Sequence, residues 1–290
     1  MAEATDDAAF AVEQDDAVDD QPAGDGTASY VYLATRDLGS EQVATLTGIG
    51  DVPVRLVTSA GLTAVVSTVD RAEFGEEALR HNLEDLDWLG RIAAEHDRVV
   101  GRVSELTTVA PLRLATILYN DFRVGSLLSE WGTELTAALD RVQGCWEWSV
   151  KLVTDPRPAA ASVGDADQPT SGASYLQRRR AELQRSSALS EALTAMADRT
   201  HHNLAERTVA SRRLAAQDRK LSGHQGEMIL NAAYLVERAH AEGFTQEVER
   251  LAAEHPELTV DLNGPWPPYS FATVESRGDR HEGTRMAGQP

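Results

Sequence analysis

Residues 146–153 read WEWSVKLV. Trp146, Trp148, Val150 and Leu152 fall on one side of an extended chain, and Glu147, Ser149 and Lys151 on the other. Successive side chains of a strand point to opposite faces, so this alternation marks a strand with one buried face. Before it, Val124, Leu128, Trp131, Leu135, Ala138 and Val142 recur at threes and fours, predicting a helix over 121–142. Gly144 ends that helix, as a glycine just past a helix commonly does. After the strand, residues 155–172 hold prolines, alanines and glycines with no apolar period, and read as a linker or long loop.

Further toward the N-terminus, YVYLA (30–34) is strand-prone, and order is expected to begin at Tyr30. VRLV (54–57) and LTAVVS (62–67), joined through Ser59-Ala60-Gly61, predict a hairpin. Leu79, Leu83, Leu86, Leu89 and Ile92 predict a helix over 74–97, and the apolar, β-branched run after it, interrupted by Pro111, reads as one or two strands. On the C-terminal side, residues 173–216 are helix-prone. EMILNAAYLV (227–236) suits a central strand or a short buried helix, 244–251 a short amphipathic helix, and LTVDL (258–262) a strand. Strands and helices without strict βαβ alternation argue for an α+β fold. The expected organisation is an N-terminal α+β domain over 29–154 and a second domain over 173–275, with tails at 1–28 and 276–290 expected to be disordered.

Charge is unevenly spread. The net charge is −19, and Glu3, Asp6, Asp7, Glu13, Asp15, Asp16, Asp19, Asp20 and Asp25 stand in the first 28 residues with no basic partner. Such a start lacks the basic, then apolar, pattern of a secretory signal. The uncharged run Leu56–Val69 is 14 residues long, short of the roughly 20 apolar residues that a membrane span needs, so the expectation is a soluble chain with no membrane partner. Cys145 is the only cysteine, which rules out an internal disulfide and any cysteine metal cluster, and cytoplasm is the simple reading.

No catalytic constellation stands out. Gly48-Ile49-Gly50 lacks the third glycine of a phosphate loop. His201-His202 with Glu206 offers a His and a Glu one helical turn apart, yet no third ligand, and reads as a solvated polar face. Cys145 with His81 or His96 can be drawn as a nucleophile pair, but a cysteine at a strand start among tryptophans reads as a small buried residue. Residues 174–222 carry ten basic and five acidic side chains but interleave only Tyr175 as a stacking aromatic, so a solvated face or a surface for an acidic partner is favoured over nucleic acid. The chain is therefore expected to be no enzyme, with no catalytic residue, metal or cofactor.

GPWPPYSF (264–271), LNAAYLVER (230–238), GASYLQRRR (172–180) and APLRLATI (110–117) together resemble the gas vesicle protein family GvpL/GvpF, in that family's order and over roughly residues 30–275. The family pattern near the middle reads Pro-x-Arg-Phe-Gly-Thr, where this chain has Pro111-Leu112-Arg113-Leu114-Ala115-Thr116. The resemblance implies a C-terminal domain of modified ferredoxin-like fold and a non-enzymatic accessory protein of gas vesicle formation. It also implies binding to the small hydrophobic shell protein GvpA and to other accessory proteins during nucleation or assembly, at the vesicle or in the cytoplasm. Retention as a minor component of the vesicle wall is an alternative. An α+β protein that binds a small molecule or catalyses, with a polar pocket at Arg113 or His202, is an alternative of another class.

Within GPWPPYSF, Pro265, Pro267 and Pro268 lack backbone donors, so the block is expected to leave the 258–262 ladder as a stiff corner before a strand over 270–274. Three readings follow: a clasp tying the chain end to the C-terminal core, an exposed aromatic ledge, or a P-x-x-P ligand. Arg113 is likewise either a buried, paired arginine or a partner contact. Arg113, Tyr175, Arg179, Trp266 and Tyr269 are the candidate partner-binding residues.

Overall fold

The computed structural model describes residues 26–154, 172–216 and 226–272; residues 155–171 of the expected linker, residues 1–25 of the first tail and the whole of the second lie outside them. The chain divides into two compact units, one of residues 1–143 with 267–290, the other of 144–266. The fold is mixed helix and sheet, with two antiparallel sheets.

In the first unit, β1 (Thr27–Thr35) is followed by the short α1 (Ser40–Val43) and the hairpin of β2 (Arg55–Ser59) and β3 (Leu62–Asp70). The hairpin turns through Ala60 and Gly61, both at positive φ (50° and 76°), as a two-residue turn matched to strand twist requires. Order begins before Tyr30, because Thr27 pairs with Asp70 and the Gly26 carbonyl accepts from the Arg71 amide. The helix expected over 74–97 is three helices: α2 (Arg71–Phe74), α3 (Glu76–Asn82) and α4 (Leu86–Ser104). The Asp85 carboxylate accepts from the amides of Asp87 and Trp88 and so starts α4 afresh, which leaves Leu86 exposed. Strands were expected around Val99, but Val99, Val100 and Val103 continue the buried stripe of Ile92 and His96, and that packing overrides their β-propensity.

Two-residue strands β4 (Ala110–Pro111) and β5 (Ile117–Leu118) both pair with β1, giving the order β2-β3-β1-β4. The helix expected over 121–142 is broken at Trp131 into α5 (Asp121–Glu130) and α6 (Gly132–Val142). Ser29 bonds Asp121 at the start of α5, while its neighbour Tyr30 bonds His96 of α4. Adjacent strand residues point to opposite faces, so the two helices cover opposite sides of the sheet.

The second unit starts with β6 (Cys145–Thr154), which was expected to close the N-terminal domain. It pairs instead with strands far downstream, because Trp148, Val150 and Leu152 find their apolar partners there. Helix α7 (Gly172–Ala205) stops short of Ala216, and Ala210–Arg213 form β7, whose residues pair with 232–235 of β8 (Met228–Glu237). The run EMILNAAYLV is thus a strand, and a central one. Helix α8 (Ala241–Glu254) and β9 (Leu258–Trp266) complete the unit. The elements run β-α-β-β-α-β with strand order β7-β8-β6-β9, the connectivity of a split βαβ unit. Phe244, Val248 and Leu251 of α8 and Ala197 and Leu204 of α7 pack on one face of this sheet.

Two expectations about the C-terminal block are overturned. Strand β9 does not stop at Leu262 but runs through Gly264 and Pro265 to Trp266. Proline is tolerated there because β9 is an edge strand, and the register shifts between Glu147 and Ser149 to absorb the extra residues. Residues 269–272 form the single-turn helix α9 (Tyr269–Ala272) in place of a strand. Residues 273–274 lie outside the described ones.

Candidate interaction surfaces

The APLRLATI segment is a closed loop on β1. The Leu112 amide donates to the Tyr32 carbonyl, the Val31 amide to the Thr116 carbonyl, and the Ala115 amide to the Tyr30 hydroxyl at 3.0 Å. The Arg113 carbonyl accepts from both the amide and the hydroxyl of Thr116. The turn uses the backbone of Arg113 and leaves its side chain exposed, so the expectation of a buried arginine is corrected. Ala115 sits at φ 59°, in the left-handed region, at the position where the resembled pattern has glycine.

The aromatics of GPWPPYSF divide. Phe271 is buried, and its carbonyl accepts from Arg141 Nε at 2.9 Å. Tyr269 packs on the core of the first unit beside His96, and its hydroxyl donates to Asp97 at 2.7 Å. Those two hold the block within the first unit, not on the C-terminal core to which the clasp was expected to tie it. Trp266, at the end of edge strand β9, is 51% exposed. Gly264 allows the strand to reach that point: at φ 139°, a Cβ there would stand 2.9 Å from the Trp148 ring and 3.0 Å from the Glu147 carbonyl.

Arg179 lies exposed on the first half of α7, 3.6 Å from Glu182. Tyr175 is on the same helix, but its side chain lies outside the described residues. From Leu176 to Ala192 every described side chain but Ala181 is exposed, and burial begins at Leu193.

One surface escaped the sequence reading. Phe122 is 79% exposed and Tyr119 59%, flanking the start of α5. The backbone beneath them is firmly held: Asn120 caps α5 by accepting from the Arg123 amide, and Arg55 grips Asp121 with Nε and Nη2 at 2.8 and 2.6 Å. The Arg55 hydrogen bonds, with that from Ser29, hold the Asp121 carboxyl below its usual range. Arg71 lies over the Tyr119 ring at 5.1 Å, a cation–π contact. The available signal was Phe122 itself, an aromatic off the Val124–Leu128 stripe of its own helix.

The groups considered for chemistry are placed as follows. Cys145 is buried, and burial, with Glu237 nearby, pushes its thiol up. His202 and Glu206 stand 3.2 Å apart on an exposed face, whereas His201 turns to the Tyr234 hydroxyl at 2.9 Å. Among the described residues no group of three or more His, Cys, Asp and Glu side chains is arranged to hold a metal, and no helix is long and apolar enough to cross a membrane. His96 is buried between Tyr30 and Tyr32, and burial lowers its pKa to about 4.

A family model described as gas vesicle synthesis protein GvpL/GvpF matches residues 28–273. Gas vesicle protein L of Streptomyces sp. (strain CB03234) is 38% identical over 90% of this chain and 97% of its own length. Gas vesicle protein L2 of Halobacterium salinarum is 28% identical over 86% and 91%. The crystal structure of GvpF from Anabaena sp. PCC7120 superposes with a TM-score of 0.63 over 86% of this chain and 98% of that one, at 21% identity, and so shares the fold. The chain therefore belongs to the GvpL/GvpF family of gas vesicle synthesis proteins.

Proposed function

We propose that this chain acts in gas vesicle formation as an assembly factor that binds the small hydrophobic shell protein of the GvpA type and keeps it competent to assemble. Membership of the family gives it a role in gas vesicle formation. The observation that carries the finer reading is the pair Tyr119 and Phe122, held out to solvent on a backbone that is capped and ion-paired beneath them. A subunit bound for a hydrophobic wall aggregates unless its apolar surface is covered, and exposed aromatics on a fixed platform suit that task. Trp266 is a further exposed aromatic, and Arg113 and Arg179 are exposed cations that suit contacts with other accessory proteins. We also read the two compact units as two domains, the second ferredoxin-like.

The test is co-purification of the full chain with a soluble GvpA-type subunit, beside a Tyr119→Ser/Phe122→Ser variant and a Trp266→Ser variant. Capture by the parent chain and its loss in the double variant support the reading. Equal capture by all three places the contact elsewhere, and no capture by any of them sinks direct shell binding. Washing purified vesicles separates the roles: a transient factor is lost, whereas a wall component stays.

A further inference from the structure

Among the described residues, nothing covers the first half of α7: from Leu176 to Ala192 every described side chain but Ala181 is exposed. Residues 176–192 make a rod of about 25 Å. A helix of that length exposed all round is marginal in water unless many side-chain pairs support it. Here the described support is the Arg179–Glu182 pair at 3.6 Å and the Ser187–Glu191 hydrogen bond. The exposed residues are not evenly polar. Leu176 and Leu183 are 59% and 57% exposed and seven apart, so they share one face. At 100° per residue, Arg179 and Arg180 flank that leucine line on either side. The 176–185 stretch holds four arginines against one glutamate, a local excess of positive charge in a chain of net charge −19.

We propose that residues 176–192 of α7 are a docking helix for an acidic amphipathic helix of a partner protein. The match is specific in chemistry: an apolar seam of heptad spacing meets the two leucines, and carboxylates on both sides of the seam meet Arg179 and Arg180. Pairing desolvates the leucines, while the flanking charges set partner choice and encounter rate.

The probe is a labelled 21-residue peptide with Leu at heptad positions a and d and Glu at e and g, read by fluorescence anisotropy against the full chain. A second peptide carries Lys at e and g with the same leucines. The acidic peptide is expected to bind, more weakly as salt rises, and the basic one to bind at least tenfold more weakly. Arg179→Glu/Arg180→Glu is expected to reverse that preference. Leu176→Ser/Leu183→Ser is expected to weaken the acidic peptide about tenfold without affecting the buried half of α7, checked by an unchanged unfolding midpoint. Equal binding of both peptides, no binding of either, or unchanged binding by the charge-reversed chain overturns the proposal. Binding seen only after the nine tail carboxylates are changed to amides overturns an outside partner too, and assigns the helix to residues 1–25.

Discussion

Replacing Ala115 by glycine is expected to stabilise the protein, although the same change in a helix does the reverse. Ala115 is fixed at φ 59° because its amide must reach the Tyr30 hydroxyl and its neighbour Thr116 must bond both Arg113 and Val31. An L-residue with a Cβ pays roughly 1–2 kcal/mol in that region. Glycine removes this strain but gives the unfolded chain more freedom, which takes back roughly 0.4–1 kcal/mol. The net expectation for Ala115→Gly is a gain of about 0.5–1 kcal/mol, or a rise in Tm of about 1–4 °C for a protein of this size. Ala137→Gly is the control: it is exposed inside α6, at ordinary helical φ, and is expected to lose about 1 kcal/mol. Urea unfolding of the two variants and the parent, followed by tryptophan fluorescence, reads both signs in one experiment. A fall in midpoint for Ala115→Gly comparable to that for Ala137→Gly would refute the reasoning, because the loop would then be selected for something other than its backbone angle.

Gly264→Ala is expected to cost about 3 kcal/mol, combining a φ reserved for glycine with a Cβ forced against Trp148 and the Glu147 carbonyl; an unchanged unfolding midpoint would mean the β9 end is loosely held. His96 stays neutral in the folded chain down to about pH 4, while the unfolded chain takes up its proton near 6.5. Stability is therefore expected to fall as pH drops from about 6.5 to about 4, by ~3 kcal/mol at most, and His96→Gln should flatten that slope in denaturation curves measured across the window. The Arg55–Asp121 contact is two-pronged but partly solvated, so a double-mutant cycle with Arg55→Met and Asp121→Asn should give a coupling of about 1 kcal/mol; a value near zero would mean Ser29 alone positions α5.

Local patterns were legible where a segment's own neighbours decide its structure. The alternation of Trp146 to Leu152, the Ala60-Gly61 turn and the stripe of Phe244, Val248 and Leu251 each named their element correctly. Two kinds of feature were not legible. Where an apolar run carries no period, as in EMILNAAYLV, only the partner strands distinguish strand from helix, and those come from residues 145–153 and 210–213. Where a strong local preference meets a stronger packing demand, the packing wins: Val99, Val100 and Val103 stay helical, and Pro265 sits in a strand because that strand is at an edge. The site shows the same division. The block holding Trp266, Tyr269 and Phe271 stands out as sequence, but Trp266 is exposed because it ends edge strand β9, and Phe271 is buried by the tertiary packing of the first unit.

The surfaces left open have a common logic on the proposed reading. A factor that shields a hydrophobic subunit and then releases it must offer apolar contact without associating with itself. Tyr119 and Phe122 expose two aromatic side chains, far less apolar area than the roughly 800 Å² per partner of a stable interface. A net charge of −19 keeps copies of the chain apart at the distances where such patches would otherwise meet. The arginines of α7 invert that repulsion in one place, so an acidic partner is drawn to the helix while a second copy of the whole molecule is not. Weak apolar contact and selective charge are therefore assigned to different elements. Altering Arg179 and Arg180 should change partner choice and leave shell-subunit binding intact, whereas altering Tyr119 and Phe122 should do the opposite.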